Sequence, residues 1–152
     1  MSVNPIPEGY STVTPFLLVD DAAGLLDYLQ AAFDAEVLER MAAPDGTVMH
    51  ALARIGDSRV MIGGATPQWP ALASSFYLYV EDCDATYAQA IAAGGTSLRE
   101  PTTEFYGDRS SGVKDASGNQ WWIATHVEDV SPEEMERRNA ERMAKAADEA
   151  SA

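Results

Sequence analysis

The chain repeats itself, and the repeat restricts its fold more than any composition does. Phe16-Leu17-Leu18-Val19-Asp20-Asp21 returns as Tyr77-Leu78-Tyr79-Val80-Glu81-Asp82 at a constant offset of 61 residues. The same offset lays the helical stretch Ala22 to Ala32 on Cys83 to Ala93. Each copy opens with an apolar strand, and the acidic pair behind it suits the first turn of a helix. The helices run out at Phe33-Asp34-Ala35 in the first copy and Gly94-Gly95 in the second.

Three further strands fit behind each helix. The first copy offers Glu36 to Met41, Val48 to Arg54 and Arg59 to Gly63, with Pro44-Asp45-Gly46 and Gly56-Asp57 as turns. The second offers Thr96 to Pro101, Arg109 to Lys114 and Gln120 to His126, closed by the turn Asp115-Ala116-Ser117-Gly118-Asn119. The pattern is β-α-β-β-β twice. It predicts an α+β fold of tandem modules. We expect a single domain over 1–152, with module 1 about 11–64, a linker 65–73, module 2 about 74–127 and a C-terminal helix about 131–150. Ser131 opens that helix as N-cap, Pro132 takes its first position, and Glu134 completes a capping box. Its continuation is charged and alanine-rich, with Met135 and Met143 among few apolar anchors. It therefore lies on the surface, packs on a partner subunit, or frays.

Composition closes several routes. A chain of 152 residues, 46% apolar, supplies one core. The net charge of −14 opposes binding to phosphates, so nucleic acid is not an expected partner. No apolar run approaches the roughly 18 residues of a membrane span, and Met1 to Tyr10 lacks the apolar stretch of a secretory signal. Cys83, the sole cysteine, sits among Glu81, Asp82 and Asp84, which disfavours a thiolate. A structural cysteine and a cytoplasmic location are expected. Gly63-Gly64 and Gly94-Gly95 lack the spacing of a phosphate-binding loop, and Ser58, Ser111 and Ser117 form no nucleophile elbow. No cofactor is expected.

Met49-His50-Ala51 with Ile55-Gly56-Asp57-Ser58, Phe105-Tyr106-Gly107-Asp108-Arg109, the Asp115 to Asn119 turn and Trp122-Ile123-Ala124-Thr125-His126 carry a resemblance. Over roughly residues 10 to 135 the chain resembles the vicinal-oxygen-chelate superfamily (glyoxalase, bleomycin-resistance and dioxygenase proteins), in its PhnB-like branch. The resemblance implies that the tandem modules form a curved mixed sheet with a concave cavity, and that metal-dependent members place one ligand on the first strand and one on the last strand of each module. Those positions fall here on Thr14, Met61, Ser75 and Trp122. Two hydroxyls, a thioether and an indole do not suit a divalent ion, and a slip by one residue yields only Val13, Pro15, Val60, Ile62, Trp121 and Ile123. No metal is therefore expected.

Strand alternation then assigns the concave face. Thr14 brings Phe16 and Leu18; Ser75 brings Tyr77 and Tyr79; Trp122 brings Gln120, Ala124 and His126. The opposite set, Val13, Leu17, Phe76, Leu78, Val80 and Ile123, suits packing under helices. The expected ligand-binding residues are Thr14, Phe16, Met61, Ser75, Tyr77, Tyr79, Trp122 and His126, an aromatic pocket with a few polar groups. Each has a plainer alternative. The rings of Tyr77, Tyr79 and Trp122 also serve as core, and His126 as a hydrogen-bonded structural residue. His126 is the candidate catalytic residue, acid–base chemistry could use His126 or Asp108, and His50 ranks below them. Arg109 with Asp108 reads as an ion pair or turn contact, and Trp69 as a lid or dimer contact.

The expected function is a metal-independent small-molecule-binding protein, a homodimer that sequesters an aromatic or cationic organic ligand. The alternatives are an enzyme of the same superfamily, a lyase, isomerase or dioxygenase with atypical groups, and a structural protein with a filled cavity.

Overall fold

A computed structural model describes residues 2–152. The first module comprises β1 (Phe16–Val19), α1 (Ala22–Phe33), β2 (Glu36–Ala42), β3 (Val48–Ile55) and β4 (Ser58–Gly64). The second comprises β5 (Ser75–Tyr79), α2 (Cys83–Ala92), β6 (Thr96–Thr103), β7 (Asp108–Lys114) and β8 (Gln120–His126), and α3 (Pro132–Ala150) follows. The α+β tandem is as the repeat predicts. Each module forms its own mixed four-stranded sheet, ordered β1-β4-β3-β2 and β5-β8-β7-β6, and neither closes into a barrel. The first strand of each runs parallel to the last, with Phe16 opposite Met61 and Tyr77 opposite Trp122. The 61-residue offset thus survives as register.

Helices α1 and α2 cover one face of each sheet and meet between the modules. Asp21 and Asp82 cap them, accepting from the backbone N–H of Gly24 at 2.9 Å and Ala85 at 3.1 Å. Leu25, Leu26, Leu29 and Phe33 lie on one side of α1 and are buried against Leu17, Val19 and Ile62. Each contributes roughly 1.5–3 kcal/mol of apolar burial. Tyr28 Oη donates to the Ala90 carbonyl at 3.2 Å, and Gln89 Nε2 donates to Ala31 O at 2.9 Å and Asp34 Oδ1 at 3.0 Å. Phe33 meets Trp121 at 5.2 Å between ring centroids, and Phe76 stacks on Trp121 at 4.6 Å. Through these contacts the core is continuous across both modules. Cys83 is buried, its thiol donating to Ile123 O at 3.2 Å, and burial first, then Asp84 and Asp82, push that thiol up.

The turn at Asp115 to Asn119 fixes β8. Asp115 accepts from the Ser117 and Asn119 amides at 2.9 and 3.0 Å, and its Oδ2 accepts Trp121 Nε1–H at 2.9 Å. Asn119 Oδ1 in turn accepts from the Ser74 amide at 2.9 Å, which sets the start of β5. Trp121 is thereby pinned inward, and its neighbour Trp122 must face out.

Three expectations are corrected. Val13 and Thr14 lie before β1, and Val13 is 82% exposed instead of packed under a helix. Pro15, where the second copy has Phe76, supplies only a carbonyl to the ladder, accepting from the Met61 amide at 2.9 Å. Glu134 N–H reaches Ser131 Oγ, yet the Glu134 carboxylate turns to Arg137 and Arg138 instead of closing a capping box. Arg109 pairs with Asp84 at 3.0 Å, not with Asp108, because consecutive strand residues point to opposite faces. No side chain of α3 is buried; Arg138 ties it to Glu128 and to the Phe105 carbonyl. Among the described residues no helix is long and apolar enough to cross a membrane.

Candidate functional site

With the helices packed between the modules, the other face of each sheet turns outward. On the second sheet the register places Tyr77, Tyr79, Trp122, Ala124, His126, Asp108, Ser110 and Gly112 on that face. Ala124, opposite Tyr79, carries only a methyl, so the tyrosines reach across β8 toward β7. There both hydroxyls donate to Asp108 Oδ2, Tyr77 at 2.9 Å and Tyr79 at 3.0 Å. His126 Nδ1 meets Asp108 Oδ1 at 2.9 Å, and His126 Nε2 meets Asp129 at 2.7 Å. Tyr106 Oη lies 3.4 Å from Tyr77 Oη.

Asp108 is the centre of this network and is 4% exposed. Burial alone would raise its carboxyl, but His126, Tyr77 and Tyr79 outweigh burial and hold it below the usual carboxylate range. His126 is raised, first by Asp108 and then by Asp129, so the imidazolium form is favoured. Burial, then Tyr106 and Asp108, push the Tyr77 hydroxyl up; Asp108 does the same to Tyr79. Because Tyr77 gives its single proton to Asp108, the Tyr106 contact has Tyr106 as donor. The network therefore points its hydrogens inward and offers the lone pairs of Tyr79 outward.

Trp122 extends over Gly112, where an added Cβ would stand 2.4 Å from its ring. Arg99 of β6 lies over the same ring at 5.3 Å, donates to Ser110 and pairs with Glu104 at 3.2 Å. On the first sheet Phe16 crosses Gly63 toward His50, the ring centroids 6.4 Å apart, beside Leu18, Leu52 and Met61. Arg59 of β4 holds the N-terminal arm, donating to Glu8 O at 2.6 Å and lying 4.8 Å from the Tyr10 ring centre.

Of the eight residues expected at the site, Phe16 and Met61 share one face, and Tyr77, Tyr79, Trp122 and His126 share the other. Ser75 heads β5 opposite Gln120, and Thr14 stands apart, donating to Ser11 O at 3.3 Å. Sequence reasoning missed Asp108 as the network's centre and missed Arg99 altogether. A cleft of about 990 Å³ between the modules runs along β5 from Phe76 to Val80 and on to Phe33, Trp121 and the Gly56-Asp57 turn; of the expected residues Tyr77 and Tyr79 line it, and its other walls were missed. Trp69 is exposed in the linker.

Comparison with known proteins gives this geometry its family. Residues 11–123 match the sequence model of the Glyoxalase/Bleomycin resistance protein/Dioxygenase superfamily. The chain belongs to that superfamily. The uncharacterized protein Mb0911c of Mycobacterium bovis is 33% identical over 147 residues, covering 90% of this chain and 94% of the relative. Rv0887c of Mycobacterium tuberculosis is also 33% identical, covering 90% of this chain and 84% of its own length. TioX from Micromonospora sp. ML1 shares the fold with a TM-score of 0.67 at 24% identity, covering 77% of this chain and 99% of TioX. The PhnB protein of Bacillus cereus shares it at a TM-score of 0.62 and 18% identity, covering 76% and 99%.

Metal-dependent members of the superfamily hold an ion at positions that fall here on Thr14, Met61, Ser75 and Trp122. Neither imidazole nor carboxylate stands at any of them. Thr14 lies outside the strand, and the Arg99 guanidinium brings a positive charge over Trp122. The residues present do not fit the ion. Among the described residues no three of His, Cys, Asp and Glu converge to hold one elsewhere.

Proposed function

We propose that this chain is a metal-independent small-molecule-binding protein that works as a homodimer and takes a planar aromatic ligand between its outward sheet faces. One observation carries the reading. Phe16, Tyr77 and Tyr79 are 55%, 45% and 65% exposed on faces that the chain's own core does not cover. Large rings left open on two facing-out sheets are a feature of binding surfaces. Helices α1 and α2 pack against each other between the modules and turn the two faces apart, so a single chain leaves both open. A second copy supplies the missing wall: the Phe16 face of one protomer closes on the Tyr77–Tyr79 face of the other. Aromatic burial supplies affinity, and the outward lone pairs of Tyr79 accept from N–H or O–H groups on the ligand. The protein acts in the cytoplasm, and within the superfamily it stands near the PhnB-like branch.

Titration calorimetry of chelator-treated protein with 2-naphthamide tests this. Saturable binding without added metal supports it, and binding that appears only with a divalent ion refutes it.

A second reading is an acid–base enzyme, favoured by the way Asp108 orients His126. With Asp129 swung aside, His126 Nε2 would face the ligand while Nδ1 stays on a buried carboxylate, an arrangement suited to moving one proton. It predicts turnover that is lost in His126→Gln while ligand affinity persists.

A further inference from the structure

We infer that the ligand carries a carboxylate, and that Arg99, laid on Trp122, is the residue that selects it. The inference rests on the reading that the open faces hold a planar ring. It concerns the sign of that ligand's charge, and it runs against the chain's net charge of −14.

The local geometry decides the sign. The π face of Trp122 is already taken by the Arg99 guanidinium, at 5.3 Å. A cationic ligand seeking that ring must first displace Arg99 from Trp122, Ser110 and Glu104. An anionic one meets it. Nη2 donates to Ser110 and Nη1 lies 3.2 Å from a Glu104 oxygen, which leaves most of the five N–H donors of the guanidinium for a ligand. A planar guanidinium fork suits two-point recognition of a carboxylate. Lys114 stands on the same face, two positions from Gly112, so roughly 7 Å further along β7. It is exposed and makes no ion pair among the described residues.

The acids of this face are already neutralised. Glu104 belongs to Arg99, and Asp108 is held by His126 and two tyrosines. Asp129 stands at the rim against His126. The remaining negative charge is spread over the outside of the molecule, and salt screens it beyond roughly 8 Å. A ligand seated there meets the N–H donors that Glu104 and Ser110 leave free on Arg99, and the ammonium of Lys114.

Three probes with one ring and three charges test the inference on the full-length protein: 2-naphthoate, 2-naphthamide and 2-naphthylmethylammonium. Calorimetry should show naphthoate binding about tenfold tighter than the amide, the ammonium binding weakest, and the naphthoate advantage shrinking at high salt. Arg99→Met should erase that advantage and bring the naphthoate and amide affinities within about twofold of each other. If Arg99→Met does not fold, Lys114→Met serves in its place and must reduce the same preference. Equal binding of naphthoate and amide by the wild-type protein, or a preference that survives Arg99→Met, overturns the inference and leaves ring binding standing. Binding of no probe overturns both.

Discussion

His126 and Asp108 lie directly opposite on β8 and β7, and an imidazole nitrogen of one stands 2.9 Å from a carboxylate oxygen of the other. Among the described residues this is the one buried carboxylate on either outward face, and the two tyrosines that share it tie three strands together. The pair has a definite pH signature. Asp108 and Asp129 raise His126 in the folded protein, so its stabilising effect is complete below the unfolded pKa of about 6.5. It fades as pH rises through the folded value. Thermal melts from about pH 6 to pH 9 should therefore show the wild-type advantage over His126→Gln shrinking as pH rises. A constant difference would contradict the pairing.

Asp108→Asn removes the charge that holds His126 protonated. The His126 titration, followed by its ring-proton shifts in NMR, should move to lower pH. Tyr77 and Tyr79 would also lose their strongest acceptor. An unmoved titration would show that Asp108 does not govern the ring.

Trp121 and Trp122 are sequence neighbours with opposite fates. Trp121 is buried against Phe33 and Phe76 and donates to Asp115, so Trp121→Ala should cost about 3–5 kcal/mol in urea denaturation. Trp122→Ala should cost clearly less, since its ring lies on the outer face over Gly112. Equal losses would mean the two faces are misassigned.

Gly112 holds room for that ring. Gly112→Ala places a methyl carbon 2.4 Å from Trp122, so the indole must shift and Arg99 with it. A loss of about 1–3 kcal/mol is expected, together with a change in tryptophan emission. A neutral substitution would mean Trp122 is not seated there.

Much of this was readable in the chain, for reasons the same residues explain. The offset between Val19 and Val80 fixed two modules, and alternation from Tyr77 and Trp122 sorted both faces, because strand side chains strictly alternate. Alternation fails where strands are irregular. The β6–β7 register shifts on both sides of Arg99, so no count along the sequence could place that side chain on the face. Thr14 failed because Pro15 stops the strand short, a local effect that the repeat conceals. Asp108 failed differently. Its chain neighbour Arg109 offered an obvious partner, while its real partners come from β5 and β8 and meet it only in the folded sheet. The meeting of α1 and α2 rests partly on hydrogen bonds from Tyr28 and Gln89 to backbone carbonyls, to which no hydrophobic pattern points.

The central claim is a ring-binding cup built from two copies, and subunit mixing tests it most directly. Phe16→Ala and Tyr79→Ala proteins should each bind 2-naphthamide weakly. Unfolded and refolded together in equal amounts, they should regain tight binding in about a quarter of the cups, those pairing an intact Phe16 face with an intact Tyr79 face. A mixture that binds no better than its parents, or a protein that stays monomeric at the concentrations used, would contradict the account.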